Sequence, residues 1–186
     1  MYKPYPPFPC QYFIYQNMYH RPAKYFNRDI ACPYCKYAQM MNIPAFPRMN
    51  LDDYGPYPFV IDIDEASRQN TNFRTALWTG NNLQLTLMSI PVGGEIGLEM
   101  HPDVDQFLRI EEGEGMVLMG ESMDNLDYQE RVEDDYAIII PAGTWHNLIN
   151  IGDEPIKLYS IYAPPQHPHG TVHVTKEDSD RAESGR

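Results

Sequence analysis

From about residue 73 onward, short apolar segments alternate with turn residues, and this pattern limits the possible folds more than any other feature of the sequence. Gly80-Asn81-Asn82 and Pro91-Val92-Gly93-Gly94 are typical turns. Between them, leucines at 83, 85 and 87 alternate with other residues, the period of two expected of a strand. Successive short strands without a strong helical pattern predict an all-β sandwich or barrel. The predicted strands are 73–79, 83–88, 96–101, 106–111, 115–119, 136–140, 146–150 and 156–162.

The first 50 residues have a different character. They carry six Lys or Arg residues against Asp29 alone, a net charge of +5, whereas the whole chain has −12. They also hold 8 of the 14 Tyr, 8 of the 17 Pro and all three Cys. Proline breaks regular structure, yet this segment is too aromatic for a solvated tail. We therefore predict an irregular arm at 1–50 that packs on its own barrel or on a partner. The arm is followed by a turn-rich connector at 51–72, which contains a short helical turn at 64–69. The barrel itself is predicted at 73–170, and a polar tail with a frayed end at 171–186.

Bulk properties exclude several classes of function. The strongly acidic balance gives no support to nucleic-acid binding. No run approaches the roughly 20 apolar residues of a membrane helix, and the first residues lack the apolar core of a secretory signal. The odd number of cysteines argues against a closed disulfide framework. We expect a cytoplasmic protein.

The arm offers two weak motifs. Cys32-Pro33-Tyr34-Cys35 reads like a dithiol active site, but its flanks lack the strand–helix setting that such chemistry uses. A zinc clip would use Cys10, His20, Cys32 and Cys35, whose spacing is irregular. Surface thiols in an arm are the simpler interpretation.

Two clusters of residues carry the chemistry of the predicted barrel. Glu99 and His101 are two positions apart, so a strand would point both to one face. Gln106 follows a short turn, and His146 follows a Pro-x-Gly turn about 40 residues later. Four ligand-capable groups from three strands can then meet inside a barrel. Buried polar groups need partners, and a metal ion is one partner that serves all four.

The spacing of these clusters resembles that of the cupin superfamily. The first cupin motif reads Gly, five residues, His-x-His, three or four residues, Glu, six residues, Gly. The second reads Gly, five residues, Pro-x-Gly-x-x-His-x-x-x-Asn. The corresponding positions here are Gly93, Glu99, His101, Gln106 and Gly113, and then Asp135, Pro141, Gly143, His146 and Asn150. The resemblance covers roughly 73–170 and implies a jelly-roll β-barrel with one divalent metal ion. Within the superfamily, the sequence resembles single-domain cupins described as mannose-6-phosphate-isomerase-like.

The candidate metal ligands Glu99, His101, Gln106 and His146 depart from the cupin pattern in a balanced way. Glu99 stands where the motif has His, and Gln106 stands where it has Glu. The set therefore keeps a single negative charge, now with two imidazoles, one carboxylate and one amide. Harder ligands favour Mn²⁺, Fe²⁺ or Zn²⁺ over soft metals. The alternative is a metal-free polar interior. Asn150, Trp145, Pro141 and Gly143 are expected to be structural.

Three hypotheses for the function are compatible with the sequence. The first is a metal-dependent cupin that binds or acts on a small molecule such as a sugar or organic acid, as an isomerase or an oxygenase if it is an enzyme. The second is a structural protein, because the arm resembles spore-coat leaders in composition; a spore-coat location is then the alternative to the cytoplasm. The third is a non-catalytic binding module. The family resemblance also implies a homodimer.

Cationic and histidine residues outside the two motifs are the remaining candidates. Strand parity from Gln106 points Arg109 outward, and Arg74 is a possible clamp for a phosphate group. His167, His169 and His173 lie in a Pro-rich stretch that either lines the barrel mouth or, as we expect, forms a solvated tail.

Overall fold

The computed structural model describes residues 48–184. The chain divides into two units, Met1–Arg48 and Met49–Arg186, and the second contains all of the helices and strands of the described residues. The predicted arm at 1–50, with Cys10, His20, Cys32 and Cys35, lies outside the described residues except for its last three positions.

The second unit consists of nine antiparallel strands and two short helices within the described residues, which confirms the all-β prediction. One sheet has six strands in the order β6-β3-β8-β2-β1-β9, and the other has three in the order β5-β4-β7. The helices are α1 (Ile63–Gln69) and α2 (Lys176–Ser184). The strands are β1 (Arg74–Thr79), β2 (Gln84–Ile90), β3 (Asp105–Glu112), β4 (Gly115–Gly120), β5 (Tyr128–Val132), β6 (Ala137–Ile140), β7 (Trp145–Asn150), β8 (Ile156–Ala163) and β9 (Val172–His173).

The predicted strand at 96–101 is wrong as a regular strand. This segment makes only the isolated bridges Glu95↔Ile149 and Glu99↔His146. Gly97 has φ +104°, in the left-handed region, so the backbone turns there and cannot continue a ladder. β5 was not predicted, because its sequence YQERV is polar and four of its five residues are exposed.

Two apolar clusters lie on opposite faces of the six-stranded sheet. The inner cluster fills the barrel between the two sheets and includes Met88, Ile110, Val117, Leu148 and Leu158. The outer cluster forms around Leu77 and Leu87. It is covered by Met49 and by connector residues, which include Leu51, Tyr54, Phe59, Ile61 and Ile63. The leucines of β2 thus face the connector, while the alternate residues of that strand face the interior.

The connector contains the short helix predicted at 64–69. Asp62 caps α1, since its side chain accepts a hydrogen bond from the Glu65 amide at 3.2 Å. The buried Ala66 belongs to the outer cluster. The helix therefore holds the connector against the outer face of the sheet.

Residues 171–184, predicted to be a polar tail with a frayed end, instead form β9 and α2. β9 pairs with β1, where His173 lies opposite Arg74. Arg74 Nη1 also donates to Ser179 Oγ of α2 at 2.6 Å. The composition of this segment is polar, but its contacts with a buried arginine fix it in place. No helix between residues 48 and 184 is long and apolar enough to cross a membrane.

The inward face of the six-stranded sheet changes in chemistry from one end to the other. The strand register places Gln84, Tyr162 and Gln106 side by side in one row, and Thr86, Ser160 and Leu108 in the next. Met88, Leu158 and Ile110 form the following row, and Ile90 and Ile156 the last. We call the first two rows the polar end and the last two the apolar end.

Candidate metal centre

Glu99 and His146 are held opposite each other by their backbones. The Glu99 amide donates to the His146 carbonyl at 3.0 Å, and the His146 amide donates to the Glu99 carbonyl at 2.9 Å. His101 is fixed by the Gly143 amide, which donates to the His101 carbonyl at 2.8 Å. The turn that precedes β7 thus fastens the irregular segment with Glu99 and His101 onto the three-stranded sheet.

The structure brings three of the predicted site residues together. Glu99 Oε1 lies 3.4 Å from His101 Nε2 and 3.3 Å from His146 Nε2, and the three potential ligand atoms all lie within 4.8 Å of one another. Both histidines are buried. Separations near 3.3 Å suit ligands that each lie about 2.1 Å from one shared ion.

Gln106, the fourth predicted residue, lies at the polar end in β3. It pairs with Tyr162 of β8, whose ring centroid lies 5.9 Å from that of His101. Directly opposed residues of an antiparallel pair share a face, so Gln106 points into the barrel with Tyr162. Its Nε2 donates to Ser160 Oγ at 3.1 Å, which leaves its Oε1 as the acceptor.

These four side chains share an unusual property. Glu99 Oε1, His101 Nε2, Gln106 Oε1 and His146 Nε2 are all buried. Apart from the contacts of Glu99 Oε1 with the two imidazole nitrogens, none of them makes a hydrogen bond of regular geometry among the described residues. Buried polar atoms are normally paired, and leaving one unpaired costs about 1–3 kcal/mol. All four are oxygen or nitrogen atoms suited to a borderline or hard divalent ion. The residues present therefore fit a metal ion.

The tautomer of His146 is set by its surroundings. Its Nδ1 lies 2.9 Å from the Thr144 carbonyl, which can only accept, so Nδ1 carries the proton. In the neutral ring, Nε2 then holds the free lone pair and faces Glu99. This is the arrangement found in metal-ligating histidines, whose other nitrogen donates to a carbonyl or carboxylate.

Glu99 is poised as an anion. Burial alone would raise its pKa, but His101 and His146 and the charge of Arg74 hold the pKa far below the usual range of a glutamate. The carboxylate is therefore ionised under all ordinary conditions and available to a cation.

The polar end holds further buried groups that the sequence did not single out. Thr86 and Tyr162 are fully buried, and their hydroxyls, with Arg74 Nε, make no hydrogen bond of regular geometry within residues 48–184. Tyr162 does lie close to Arg74 and Ser160: burial raises the pKa of its hydroxyl, and both neighbours oppose that rise. The signal in the sequence was the polar residues that alternate with the leucines of β2.

The predicted solvated histidine tail is wrong for two of its three members. His167 and His173 are buried, and the Tyr162 and His167 rings meet edge to face at 5.1 Å. Only His169 lies at the surface, where its Nε2 is 3.1 Å from the Gly55 carbonyl. Gln84 explains the difference, because it bonds both the amide and the carbonyl of His167 and so draws this stretch onto β2.

Two residues of the second motif, Asp135 and Asn150, have structural roles, and this role was predicted for Asn150. Asp135 takes φ +72° where the cupin motif has Gly; Asp is among the few side chains that tolerate this region. Asn150 Nδ2 donates to the Ile90 and Glu154 carbonyls at 3.0 and 2.9 Å, joining two loops to β7. Arg109 lies on the outer side, as predicted, and pairs with Glu111 and Asp135.

Comparison with known proteins gives a consistent result. Residues 86–162 match a family model described as "Cupin domain". The chain is 64% identical over 133 residues to the uncharacterised protein YrkC of Bacillus subtilis, covering 72% of each chain. It is 38% identical over 122 residues to the uncharacterised protein L612 of Acanthamoeba polyphaga mimivirus, covering 65% of this chain and 74% of that one. The crystal structure of BH2720 from Bacillus halodurans is 64% identical, with a TM-score of 0.70, and the match covers 70% of this chain and 98% of that one.

Proposed function

Because the chain belongs to the cupin superfamily, we propose that its barrel holds one divalent metal ion, at which it binds a small molecule such as a sugar or an organic acid. The proposed ligands are Glu99, His101, Gln106 and His146. The observation that carries the proposal is the burial of four ligand-capable atoms that, outside their own cluster, make no hydrogen bond of regular geometry in the described part of the chain.

The charge of the ligand set supports this assignment. Glu99 is ionised, the two histidines are neutral ligands, and Gln106 adds an uncharged amide oxygen. One carboxylate and two imidazoles suit Mn²⁺, Fe²⁺ or Zn²⁺. A divalent ion there would act as a Lewis acid toward an oxygen of the bound molecule.

The surrounding residues of this chain would position that molecule. Ser160 holds the Gln106 amide, and Thr144 holds His146 through Nδ1, so two of the proposed ligands are oriented in advance. The inward rows of Thr86, Ser160 and Tyr162 place hydroxyls beside the ligand set and exclude bulk water. These features favour a prepared site over a merely polar interior.

The test is a metal analysis of the purified full-length protein. We expect about one Mn, Fe or Zn per chain, and a melting temperature that falls when a chelator removes the ion and recovers when the ion is restored. A ligand at 100 times its dissociation constant stabilises the folded state by about 2.7 kcal/mol. Protein that contains no metal, and whose melting temperature does not respond to any of the three ions, would overturn the proposal.

Two matched histidine variants distinguish the loss of a proposed metal ligand from the general effect of replacing a histidine. His101→Gln should lower the metal content, because it removes a ligand nitrogen from the buried cluster. His169→Gln is the control, since that side chain is exposed and bonds only to loop groups. Equal metal content in the two variants would argue against the proposed ligands.

We also propose that two copies of the chain associate through the outer face of the six-stranded sheet. Ile139 of β6 is 62% exposed and lies opposite Phe107, which in turn lies opposite Ile161. The outer cluster, which covers the sheet around Leu77 and Leu87, does not include these residues. Light scattering should give the mass of a dimer, and Ile139→Lys should shift it toward the monomer.

A further inference from the structure

We propose that the barrel interior beside the candidate metal centre binds the carboxylate of a small organic acid through Arg74, Thr86 and Tyr162. This inference rests on the proposed metal site and names the chemical class of the molecule that binds there. It comes from a division among the buried polar atoms near the candidate metal centre that make no hydrogen bond of regular geometry in the described residues. The potential ligand atoms of Glu99, His101 and His146 lie together, whereas the Arg74 N–H and the hydroxyls of Thr86 and Tyr162 can donate.

Arg74 is the central residue. Its side chain is only 1% exposed, although it carries a permanent positive charge. Nη1 donates to Ser179 Oγ at 2.6 Å and lies 3.5 Å from Glu183 Oε1. Nε makes no hydrogen bond of regular geometry among residues 48–184, although the Tyr162 hydroxyl lies close to the guanidinium. A guanidinium N–H can only donate. A buried donor of this kind calls for an acceptor, and an anionic one is the strongest.

Arg74 faces the candidate metal centre. Burial alone would lower its pKa, but Tyr162, Glu99 and Glu183 act on it more strongly and raise the pKa above its ordinary value. The guanidinium is therefore charged and within electrostatic range of a proposed metal ligand. A molecule bound at the metal would meet this charge.

Two hydroxyls complete the set of donors. In the strand register, Thr86 lies opposite Ala76, two residues from Arg74, and also opposite Ser160, two residues from Tyr162. Arg74 itself lies opposite Met88, so the three residues form a diagonal across β1, β2 and β8 on one face of the sheet, with Thr86 in the middle. In the described residues, neither the Thr86 nor the Tyr162 hydroxyl makes a hydrogen bond of regular geometry.

The charge balance also calls for an anion. Arg74 and Glu99 carry opposite charges that cancel, so a divalent ion would leave two positive charges in a buried site. Glu183 offsets part of this excess, but its side chain is 43% exposed and lies on α2. Uncompensated charge in a protein interior is costly, and an anionic ligand removes that cost.

The donors match a carboxylate better than a phosphate. One guanidinium N–H and two hydroxyls can serve the two oxygens of a carboxylate. A phosphate ester has three terminal oxygens and up to two charges, and would need further cationic donors. Lys157, the other Lys or Arg that is buried among residues 48–184, is occupied elsewhere: its Nζ donates to the Asn70 carbonyl and Ser89 Oγ, at 2.6 and 3.0 Å. A 2-hydroxy acid could place its carboxylate on these donors and its hydroxyl toward the ion.

The experiment compares two probes of the same shape. Calorimetry on the full-length, Mn²⁺-loaded protein measures the affinity for lactate and for lactamide, which keeps the hydroxyl but lacks the charge. A hydrogen bond to a charged group contributes enough for a preference of about ten- to a hundredfold for lactate. Glycerol phosphate is the third probe and should bind more weakly than lactate.

Three variants locate the effect. Arg74→Gln should abolish the preference for lactate over lactamide. Thr86→Val should weaken lactate binding several-fold without lowering the melting temperature, because it replaces a hydroxyl that has no partner by a methyl group of similar size. Arg109→Gln, an arginine on the outer side of the barrel, is the matched control and should bind lactate like the parent. If Arg74→Gln does not fold, Thr86→Val decides.

The outcomes separate this inference from the proposed function. Mn²⁺-loaded protein that binds lactate and lactamide equally, or binds neither, overturns the inference and leaves the metal site standing. Tighter binding of glycerol phosphate overturns the carboxylate assignment. Protein without metal overturns the proposed function, and the same lactate titration of that protein then tests Arg74 and Thr86 directly. Loss of the preference in Arg74→Gln with no change in Arg109→Gln supports the inference.

Discussion

At one end of the barrel interior, Ile90, Ile110 and Leu158 belong to one apolar cluster. At the other end, Thr86, Gln106 and Tyr162 keep polar atoms that make no hydrogen bond of regular geometry in the described structure. Both ends lie on the same strands, β2, β3 and β8, only a few residues apart. The apolar end stabilises the fold by burial. The polar end lowers the stability of the ligand-free protein, but it supplies groups that a ligand can satisfy.

The largest effect is expected at the apolar end. Leu158→Ala removes a fully buried side chain and leaves a cavity, which should lower the free energy of unfolding by about 2–5 kcal/mol. Urea denaturation measures the loss. The metal content should stay at the parent value, since Leu158 lies two rows from Gln106. A loss below about 1 kcal/mol would show that the apolar end does not support the fold in this way.

A smaller effect is expected from exchanging charge at the polar end. Glu99→His alone makes the ligand set neutral, and Gln106→Glu alone makes it doubly negative. We expect Glu99→His to weaken Mn²⁺ binding by at least about tenfold, or 1.4 kcal/mol. The double variant restores a single negative charge and should bind Mn²⁺ or Fe²⁺ at least as well as the parent. Metal titrations in which neither single variant changes affinity would show that the two positions are not electrostatically coupled.

The smallest effect is expected at Asp53, a polar group whose partners all belong to the protein. Its carboxylate accepts from Thr79 Oγ1 at 2.6 Å and from the Gly55 and Gly170 amides at 3.0 and 2.9 Å. We expect Asp53→Asn to lower the free energy of unfolding by about 1 kcal/mol at pH 7, without altering metal content. Metal loss in this variant would show that Asp53, whose partners are all protein groups, affects the metal in the same way as the polar end of the barrel.

The pH dependence of the Asp53 contribution follows from its pKa. Burial alone would raise that pKa, but the Thr79 hydroxyl, the two amides and His169 hold it below the usual value of an aspartate. A carboxyl with a lowered pKa in the folded state stabilises the fold above its unfolded pKa of about 3.9, and this contribution is lost as the pH falls through the folded value. The difference between parent and Asp53→Asn should therefore be constant near neutrality and shrink in acid.

The sequence was sufficient to predict the all-β architecture and to predict that the side chains of Glu99, His101 and His146 lie close together. Turn residues mark the ends of most strands, and the spacing of two motifs places the three side chains near one another. Whether these residues and Gln106 ligate a metal stays a prediction. The polar strand β5 could not be predicted, because its exposed residues carry no alternation of apolar and polar side chains.

Long-range polar contacts explain what the sequence did not reveal. The prolines that flank the C-terminal histidines predicted a solvated tail, yet Gln84 bonds His167 and holds it against β2 across 83 positions. The contact of Arg74 with Ser179 spans 105 positions, and no local sequence pattern predicts it. The sequence also did not show which face of β2 points into the barrel, because the leucines face the connector and the polar residues face the site.

The bond between Arg74 and Ser179 has a practical consequence for where the folding unit ends. The segment that matches the family model, 86–162, contains neither residue. A chain cut after the last strand of the barrel would leave a buried guanidinium without the hydroxyl of Ser179 and without the nearby carboxylate of Glu183. A truncated or grafted version of this barrel must therefore include the acidic helix α2, although α2 adds no strand to either sheet.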